Sequence, residues 1–456
     1  MNFSNKILKL HPAALVLLSF LLAIAIGGLL LKLPFSVKTG SISWVDAFFT
    51  STSAVCVTGL VVVDTGSFFT IFGQCVILSL IQIGGLGVMT VSVLLFRWLG
   101  KSVSFRQRMA MQDIFAHTPR KDIFSLIKST LFFTVIAEVS GALLLTLHWS
   151  QELPFINALY TSIFHSVSAF CNAGFALFPN SMTQYSNSLM LNVVMCMLII
   201  SGGIGFPVLY DLQLWFRRKK NQRKKLSVQT KTVIVTTVLL ISAGAILFFF
   251  LEHELLKDTH SFSHRVMISI FQSVTCRTAG FNSVDISALR ECTLILVIFL
   301  MFVGASPGSC GGGVKTTTLA LLGAFTFHRI RGNSHVNMFR KSIPFDAVNR
   351  SIFLIFISIS VIGIVLFFLL IGEAPAPGQL SGYRGSFLSY LFETVSAFGT
   401  VGLSMGATSA LGTWGKTWII FMMVVGRVGV LTFSYIFIGK EYSNGIEYSE
   451  ENIMIG

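Results

Sequence analysis

The chain has 456 residues, of which 53% are hydrophobic and 11% charged. Soluble domains carry about 25% charged residues, so the composition points to a membrane protein and away from a soluble enzyme. The formal charge of +14 invites a nucleic-acid partner, which the placement of the charges argues against.

Crossing the hydrocarbon core takes about twenty apolar residues. The first run, 13–31, meets this. It is too long for the core of a secretory signal and lacks a small-x-small cleavage site, so it reads as a span. The pattern that follows predicts four similar units. The first, 10–100, has apolar runs at 13–31 and 69–99 around a shorter segment at 44–60. The second, 120–217, has runs at 123–149 and 188–216 around 155–175. The third, 230–328, has runs at 233–251 and 293–327 around 262–281. The fourth, 347–438, has runs at 352–371 and 414–437 around 387–403, and a tail of 439–456 follows. Each middle segment is too short and too polar for a full crossing. It fits a half-helix that enters the membrane and returns as extended chain, which is tolerated at depth only where it lines a water-filled path. The expected fold is an all-α integral membrane protein: four helix–pore-loop–helix units around a pseudo-fourfold central pore, with eight transmembrane helices and four pore half-helices.

The middle segments share an ending. Runs that open at Ser51, Ser166, Ser273 and Thr394 close on Thr58-Gly59-Leu60, Ala173-Gly174-Phe175, Ala279-Gly280-Phe281 and Val401-Gly402-Leu403. The glycines lie 115, 106 and 122 residues apart, spacings that suggest one unit used four times. Glycine takes backbone conformations that a Cβ blocks. Four such strands around an axis can turn carbonyl oxygens inward and replace a cation's water shell. Turns would also explain a single glycine; four copies between long apolar runs favour the pore. A half-helix also points its negative dipole end toward the cation below it.

Of 33 Lys and Arg residues, seven lie in 97–128, eight in 217–231 and five in 329–350. Alternate connections are therefore basic. The positive-inside rule places them and both termini in the cytoplasm, against lipid headgroups. The seven cysteines are scattered, with no CxxC pair, so neither a disulfide framework nor a transition-metal site follows. Cys56, Cys171 and Cys276 fall in the recurring motif as small packing residues. Acidic residues Asp46, Asp64, Glu252, Glu254, Asp258 and Glu373 read as a solvated rim that can also draw cations to the mouth.

Glycines near the middle of the second runs (Gly84, Gly85, Gly87, Gly202, Gly203, Gly205, Gly426 and Gly429) read as close-packing positions. The third unit departs. Gly304, Pro307, Gly308, Gly311, Gly312 and Gly313 interrupt what should be a continuous helix. They predict a flexible loop over 304–318, on the cytoplasmic side of Gly280, placed to act as a gate. A Walker A reading of this stretch fails, because Val314 separates Gly313 from Lys315 and no strand precedes it. Lys315 marks the loop's cytoplasmic end. Arg427 sits mid-run, where a charge is costly unless it faces water or a partner. It either opposes cation passage below the strands or pairs with the loop. Catalytic groups do not converge: Glu138 is alone on its helix, and His165 and Glu393 lie in half-helices, where packing or hydrogen bonding is their expected role. A non-inverted fourfold repeat argues against an alternating-access carrier.

Together these units, glycines, the glycine-rich break and Arg427 resemble the Trk/Ktr/HKT cation-transport superfamily, over about residues 10–442. Length and the lack of extra N-terminal spans look most like its KtrB-type subunits. The resemblance implies potassium uptake at the bacterial cell membrane, often sodium-stimulated. It implies a selectivity filter of Val57, Thr58, Gly59, Asn172, Ala173, Gly174, Thr278, Ala279, Gly280, Thr400, Val401 and Gly402, holding K+ on backbone carbonyls. It also implies an intramembrane gate at 304–318 with Arg427 beside it. Relatives form homodimers docked on a cytoplasmic RCK-type ring of nucleotide-binding regulatory subunits, so any nucleotide belongs to that partner. Thr400-Val401-Gly402 keeps the potassium-channel consensus best and Asn172-Ala173-Gly174 departs, which leaves open a less selective K+/Na+ transporter of the same superfamily. Gly59 stands where a serine favours sodium in plant relatives. The apolar end at 453–456 is expected to dock at the dimer or regulator interface.

Overall fold

The computed structural model describes residues 12–87, 123–217, 226–257, 261–333, 335–372 and 386–429. Four long helices carry the apolar runs: α1 (Pro12–Lys32), α4 (Ile123–Trp149), α8 (Val228–Leu251) and α12 (Phe345–Gly372). Each is long and apolar enough to cross a bilayer. Leu22 on α1, Leu143 on α4, Leu239 on α8 and Phe356 on α12 are exposed, an apolar belt of the kind that lipid covers.

A shorter helix follows each long one and packs against it: α2 (Trp44–Val55), α5 (Phe155–Phe170), α9 (Phe262–Thr275) and α13 (Ser386–Gly399). Ser43 starts α2 by accepting from the Asp46 N–H at 3.0 Å, one of the donors a helix start leaves free. Three of the four pairs meet through a glycine. Gly27, Gly141 and Gly244 on the long helices lie against Ser51, Ser166 and Ser273. Those hydroxyls donate across the interface to the carbonyls of Ile24, Glu138 and Ile241 at 2.8, 2.7 and 2.8 Å. A side chain at the glycine would push the helices apart.

The second apolar runs behave differently from expectation. They form α3 (Ile71–Leu86), α6 (Leu189–Gly203) with α7 (Phe206–Phe216), α10 (Glu291–Phe302) with α11 (Thr316–Ile330), and α14 (Thr413–Val428). α3 and α14 end at Gly87 and Gly429, and α6 and α7 meet at 96° around Gly205. These three glycines have φ of 85°, 91° and 97°, which L side chains rarely adopt. The break in the third unit therefore has counterparts in the other three. Of the sequence-read glycines, Gly84, Gly202 and Gly426 are the packing positions: an added Cβ would strike the carbonyls of Val55, Phe170 and Phe398.

Closure comes from the second helices. α3 packs on α5, α6 on α9, α10 on α13, and α14 returns to α2. Each thus wedges between its own unit and the next, and the fourth unit meets the first. After α11 a hairpin forms, with β1 (Val336–Met338) antiparallel to β2 (Lys341–Ile343) and Val336 opposite Ile343. Its turn residues Phe339 and Arg340 have φ of 48° and 65°. This turn ordinarily calls for Asn-Gly, so the sequence carries no signal for it. The apolar C-terminal end, Asp258, and the outer stretch with Glu373 lie outside the described residues.

Gly141→Leu should destabilise the fold by about 1–3 kcal/mol through overpacking, whereas Gly363→Leu, with nothing within 4 Å of an added Cβ, should be near neutral. Thermal unfolding of the two purified variants checks this.

Candidate functional site

The four short helices end together at one place. Beyond each, the backbone alternates. Val57, Asn172, Thr278 and Thr400 have φ of 57°, 59°, 73° and 50°, and two residues on, Gly59, Gly174, Gly280 and Gly402 have φ of 91°, 69°, 76° and 92°. A β-strand turns successive carbonyls to opposite sides; alternating the sign of φ turns them toward the same side. For a β-branched residue such as Val57 this conformation is an outlier, costing about 1–3 kcal/mol.

The glycines close a ring. A Cβ on Gly59 would lie 2.5 Å from the Ala173 carbonyl oxygen, and one on Gly174 would lie 2.9 Å from that of Ala279. A Cβ on Gly280 would strike the Val401 carbonyl, and one on Gly402 that of Thr58. Each strand thus abuts the next in chain order, and the last abuts the first. All four glycines line one open cavity of about 800 Å³. The sequence-predicted residues Val57 to Gly59, Asn172 to Gly174, Thr278 to Gly280 and Thr400 to Gly402 are brought together here, and all are buried in the protein or line the cavity.

Two rows of polar side chains hold the ring from behind. The first went unread in the sequence: Ser53, Ser168, Thr275 and Ser396. Ser53 and Ser396 Oγ accept from the N–H of Gly59 and Gly402, each at 3.1 Å. Ser168 and Thr275 hydroxyls donate to the carbonyls of Phe175 and Phe281 at 2.8 and 2.6 Å. The signal was present: a hydroxyl six residues before the glycine in three copies and five in the third. The second row is Thr50, His165, Gln272 and Glu393. His165 Nδ1–H donates to Thr161 O at 2.8 Å, and Nε2 accepts from the Leu177 N–H at 3.3 Å. Gln272 Nε2 donates to Ser283 Oγ at 3.3 Å. Glu393 accepts from the Ser404 hydroxyl at 2.6 Å, the Met405 N–H at 3.0 Å and the Thr408 hydroxyl. His165 and Glu393 thus brace the returning chain, and of the two roles expected of them, packing or hydrogen bonding, hydrogen bonding is the one seen. In the first unit the Thr50 hydroxyl has no partner among the described residues. Gln74 braces that limb instead, donating to Phe69 O at 3.0 Å and accepting from Tyr160 at 2.7 Å.

On the side opposite the cavity lies the loop between α10 and α11. It is expected to be flexible, but the structure has it buried and tied. Val303 pairs with Val314. The N–H groups of Ser306 and Cys310 donate to Gly203 O and Gly202 O at 3.1 and 3.2 Å, and Phe206 N–H donates to Gly308 O at 2.9 Å. Gly312 N–H donates to Thr400 Oγ1 at 2.8 Å, and a Cβ on Gly311 would strike Thr278 Oγ1. Gly308 and Gly313 both take φ of 69°, and Gly304 backs onto Gly312. Pro307 presents its carbonyl to Gly205. Lys315 does more than mark an end: its Nζ donates to Gly311 O at 2.8 Å and Gly312 O at 3.4 Å. Of the two readings of Arg427, the structure has the pairing one. Its guanidinium donates to Cys310 O in the loop and to Gly84 O on α3.

Among the described residues the acidic rim is mostly structural. Asp46 accepts from Lys416 at 2.7 Å, Glu254 pairs with Arg290, and Glu252 accepts from the Arg290 N–H at 2.9 Å. Of the sequence-read set Asp64 lines the cavity, and Asp285, not singled out, joins it. The motif cysteines Cys56, Cys171 and Cys276 are buried and free, with Cys171 packed against Gly85.

A family profile described as TrkH, cation transport protein, matches residues 16–445. The chain belongs to the TrkH cation transport protein family. A Ktr system potassium uptake protein B of Bacillus subtilis is 38% identical over 99% of this chain and 98% of its own length. The potassium/sodium uptake protein NtpJ of Enterococcus hirae is 37% identical over 98% of each. The fold is shared with the crystal structure of the potassium transporter TrkH from Vibrio parahaemolyticus: the TM-score is 0.71 at 19% identity, covering 93% of this chain and 84% of that one.

Ser396→Ala leaves the buried Gly402 N–H unpaired, at a cost of about 1–3 kcal/mol, and Ser396→Thr keeps the acceptor. The alanine variant should unfold at lower temperature than both the threonine variant and the parent protein, which a melting curve of the detergent-purified proteins checks.

Proposed function

We propose that this TrkH-family chain takes up potassium across the bacterial cell membrane through a channel-like pore. The observation that carries the reading is the closed ring of four glycine-bearing strands at the floor of one open cavity. In this reading the four units divide as 10–100, 120–217, 230–328 and 347–438, and the ring is the selectivity filter. K+ enters from the cavity side, sheds water and is held by backbone carbonyls. The potassium uptake named for the Bacillus subtilis relative and the potassium/sodium uptake named for the Enterococcus hirae relative support this cargo. Sodium acts as a stimulator.

The 304–318 loop is the gate, shut in this conformation by Arg427 and Lys315 from one side and Thr400 from the other. A cytoplasmic RCK-type ring of nucleotide-binding subunits works the loop, and the chain acts as a homodimer with both termini in the cytoplasm. The basic connections at 97–128, 217–231 and 329–350 support that orientation. No chemical reaction is assigned to the chain; its cargo passes unchanged.

The test is rubidium or potassium uptake in a strain lacking its own uptake systems, with and without sodium and the regulatory ring. Uptake that follows expression of this chain is expected; none under any of these conditions contradicts the reading. In that assay Gly402→Ser should raise the KM for potassium and admit sodium, because a Cβ there meets the Thr58 carbonyl. Unchanged kinetics would remove Gly402 from the filter. Arg427→Gln takes away a charge-assisted hydrogen bond of about 1.5 kcal/mol, which shifts a closed–open equilibrium about tenfold. Uptake without the regulatory ring should rise accordingly, as it should on deletion of Gly311 to Gly313. Unaltered flux in both would count against a gate.

A further inference from the structure

The helix α7 turns away from α6 by 96°, and its polar side chains fix where it lies. Tyr210 donates to Ser125 Oγ at 3.2 Å, and Gln213 Oε1 accepts from the Ser129 hydroxyl at 3.0 Å, both near the start of α4. Asp211 Oδ2 accepts from the Ser227 N–H at 3.1 Å and the Thr230 hydroxyl at 2.6 Å, at the start of α8. Leu256, beyond the far end of α8, lines the cavity. α7 therefore crosses the ends of two long apolar helices on the face away from the cavity.

Its two ends meet different surroundings. At its start, the Phe206 N–H donates to Gly308 O of the loop at 2.9 Å, and Gly205 backs onto the Pro307 carbonyl. At its far end Leu214 and Phe216 are 39% and 75% exposed. Trp215 packs edge-on to Phe216 at 5.0 Å, and Arg217 follows, exposed. Lys128, beside Ser129, is exposed as well. Neither cation joins a described ion pair, and the acidic residue of α7, Asp211, is already bonded to α8. Aromatic rings beside cations at the ends of apolar spans suit a membrane–water interface, and anionic headgroups complement the charge.

We propose that the end of α7, Leu214 to Arg217, seats on anionic phospholipid headgroups of the adjoining leaflet, and that this seat holds the 304–318 loop shut. The loop cannot move away from the ring without breaking the Phe206–Gly308 bond or dragging α7 with it. A helix whose far end is sunk in the interface resists the drag. α7 is then a strut between the bilayer surface and the loop. The hold on the loop rests on the gate proposed above; the lipid seat does not.

Two measurements on the full chain in vesicles test this. The first uses vesicles of equal parts phosphatidylcholine and phosphatidylglycerol, brominated on one lipid or the other. Quenching of Trp215 is taken as the difference in tryptophan emission between the parent protein and Trp215→Phe. Brominated phosphatidylglycerol should quench it at least about twice as much as brominated phosphatidylcholine. Equal quenching by the two, or none, overturns the anionic seat whatever the chain transports. The second is rubidium flux, without the regulatory ring, in phosphatidylcholine vesicles and in the equal mixture. Flux should be about fivefold higher without the anionic lipid, the change that one basic residue at such a surface gives. Phe216→Ser with Arg217→Gln should give the higher flux in both kinds of vesicle. Parent flux that ignores the lipid, with the quenching as expected, overturns the hold on the loop and leaves the seat standing. Absence of flux in either vesicle, with or without the ring, contradicts the proposed uptake and the hold together, and the quenching still decides the seat.

Discussion

The structure depends on backbone meeting backbone without a side chain between. Gly59, Gly174, Gly280 and Gly402 each face the carbonyl of the neighbouring strand at a distance no Cβ tolerates. The ring can close only because all four positions lack one. Everything around it serves that closure. The short helices aim four chain ends at one axis, and the second helices wedge between units so that the fourth returns to the first. Hydroxyls at Ser53, Ser168, Thr275 and Ser396 hold strands whose backbone is strained at Val57, Asn172, Thr278 and Thr400. Strain of this kind persists where the surroundings over-determine it, and here two rows of side chains do so.

The four units are alike without being equal. The second row runs threonine, histidine, glutamine, glutamate, and the last three brace the returning chain with different chemistry. The first unit hands the task to Gln74. The long-helix glycine opposite the short helix is present in three units, whereas Thr394 in the fourth donates back to Tyr390 in its own helix at 2.6 Å. The third unit carries the long loop, and the others end their second helices on single glycines at the same stage. A fourfold frame with unequal parts lets the third unit carry a long buried loop while all four supply the ring.

Much of this was legible in the sequence. The four helix–strand–helix repeats, the ring glycines and the glycine-rich break were readable because each is a local pattern repeated at a steady interval. What was missed depends on contacts far apart in sequence. Arg427 had two readings because its partners are 117 and 343 residues away. Gly87, Gly205 and Gly429 looked like packing positions because a glycine in an apolar run signals close approach and a left-handed turn equally. The loop was expected to be flexible on composition, yet its carbonyls and N–H groups are claimed by α6, Thr400, Lys315 and Arg427. The Phe339-Arg340 turn breaks the residue preferences of its type and had no signal at all. The serine and threonine row did have one, a hydroxyl five or six residues before the glycine, hidden by the ordinariness of serine.

The central claim is that the four strands together hold a dehydrated monovalent cation on their shared axis. Anomalous diffraction from crystals equilibrated with rubidium or thallium(I) tests it most directly. The account predicts peaks on the axis, among the backbone oxygens of Thr58, Ala173, Ala279 and Val401. Ordered strands with no peak between them, and the cation bound elsewhere in the molecule, would contradict it.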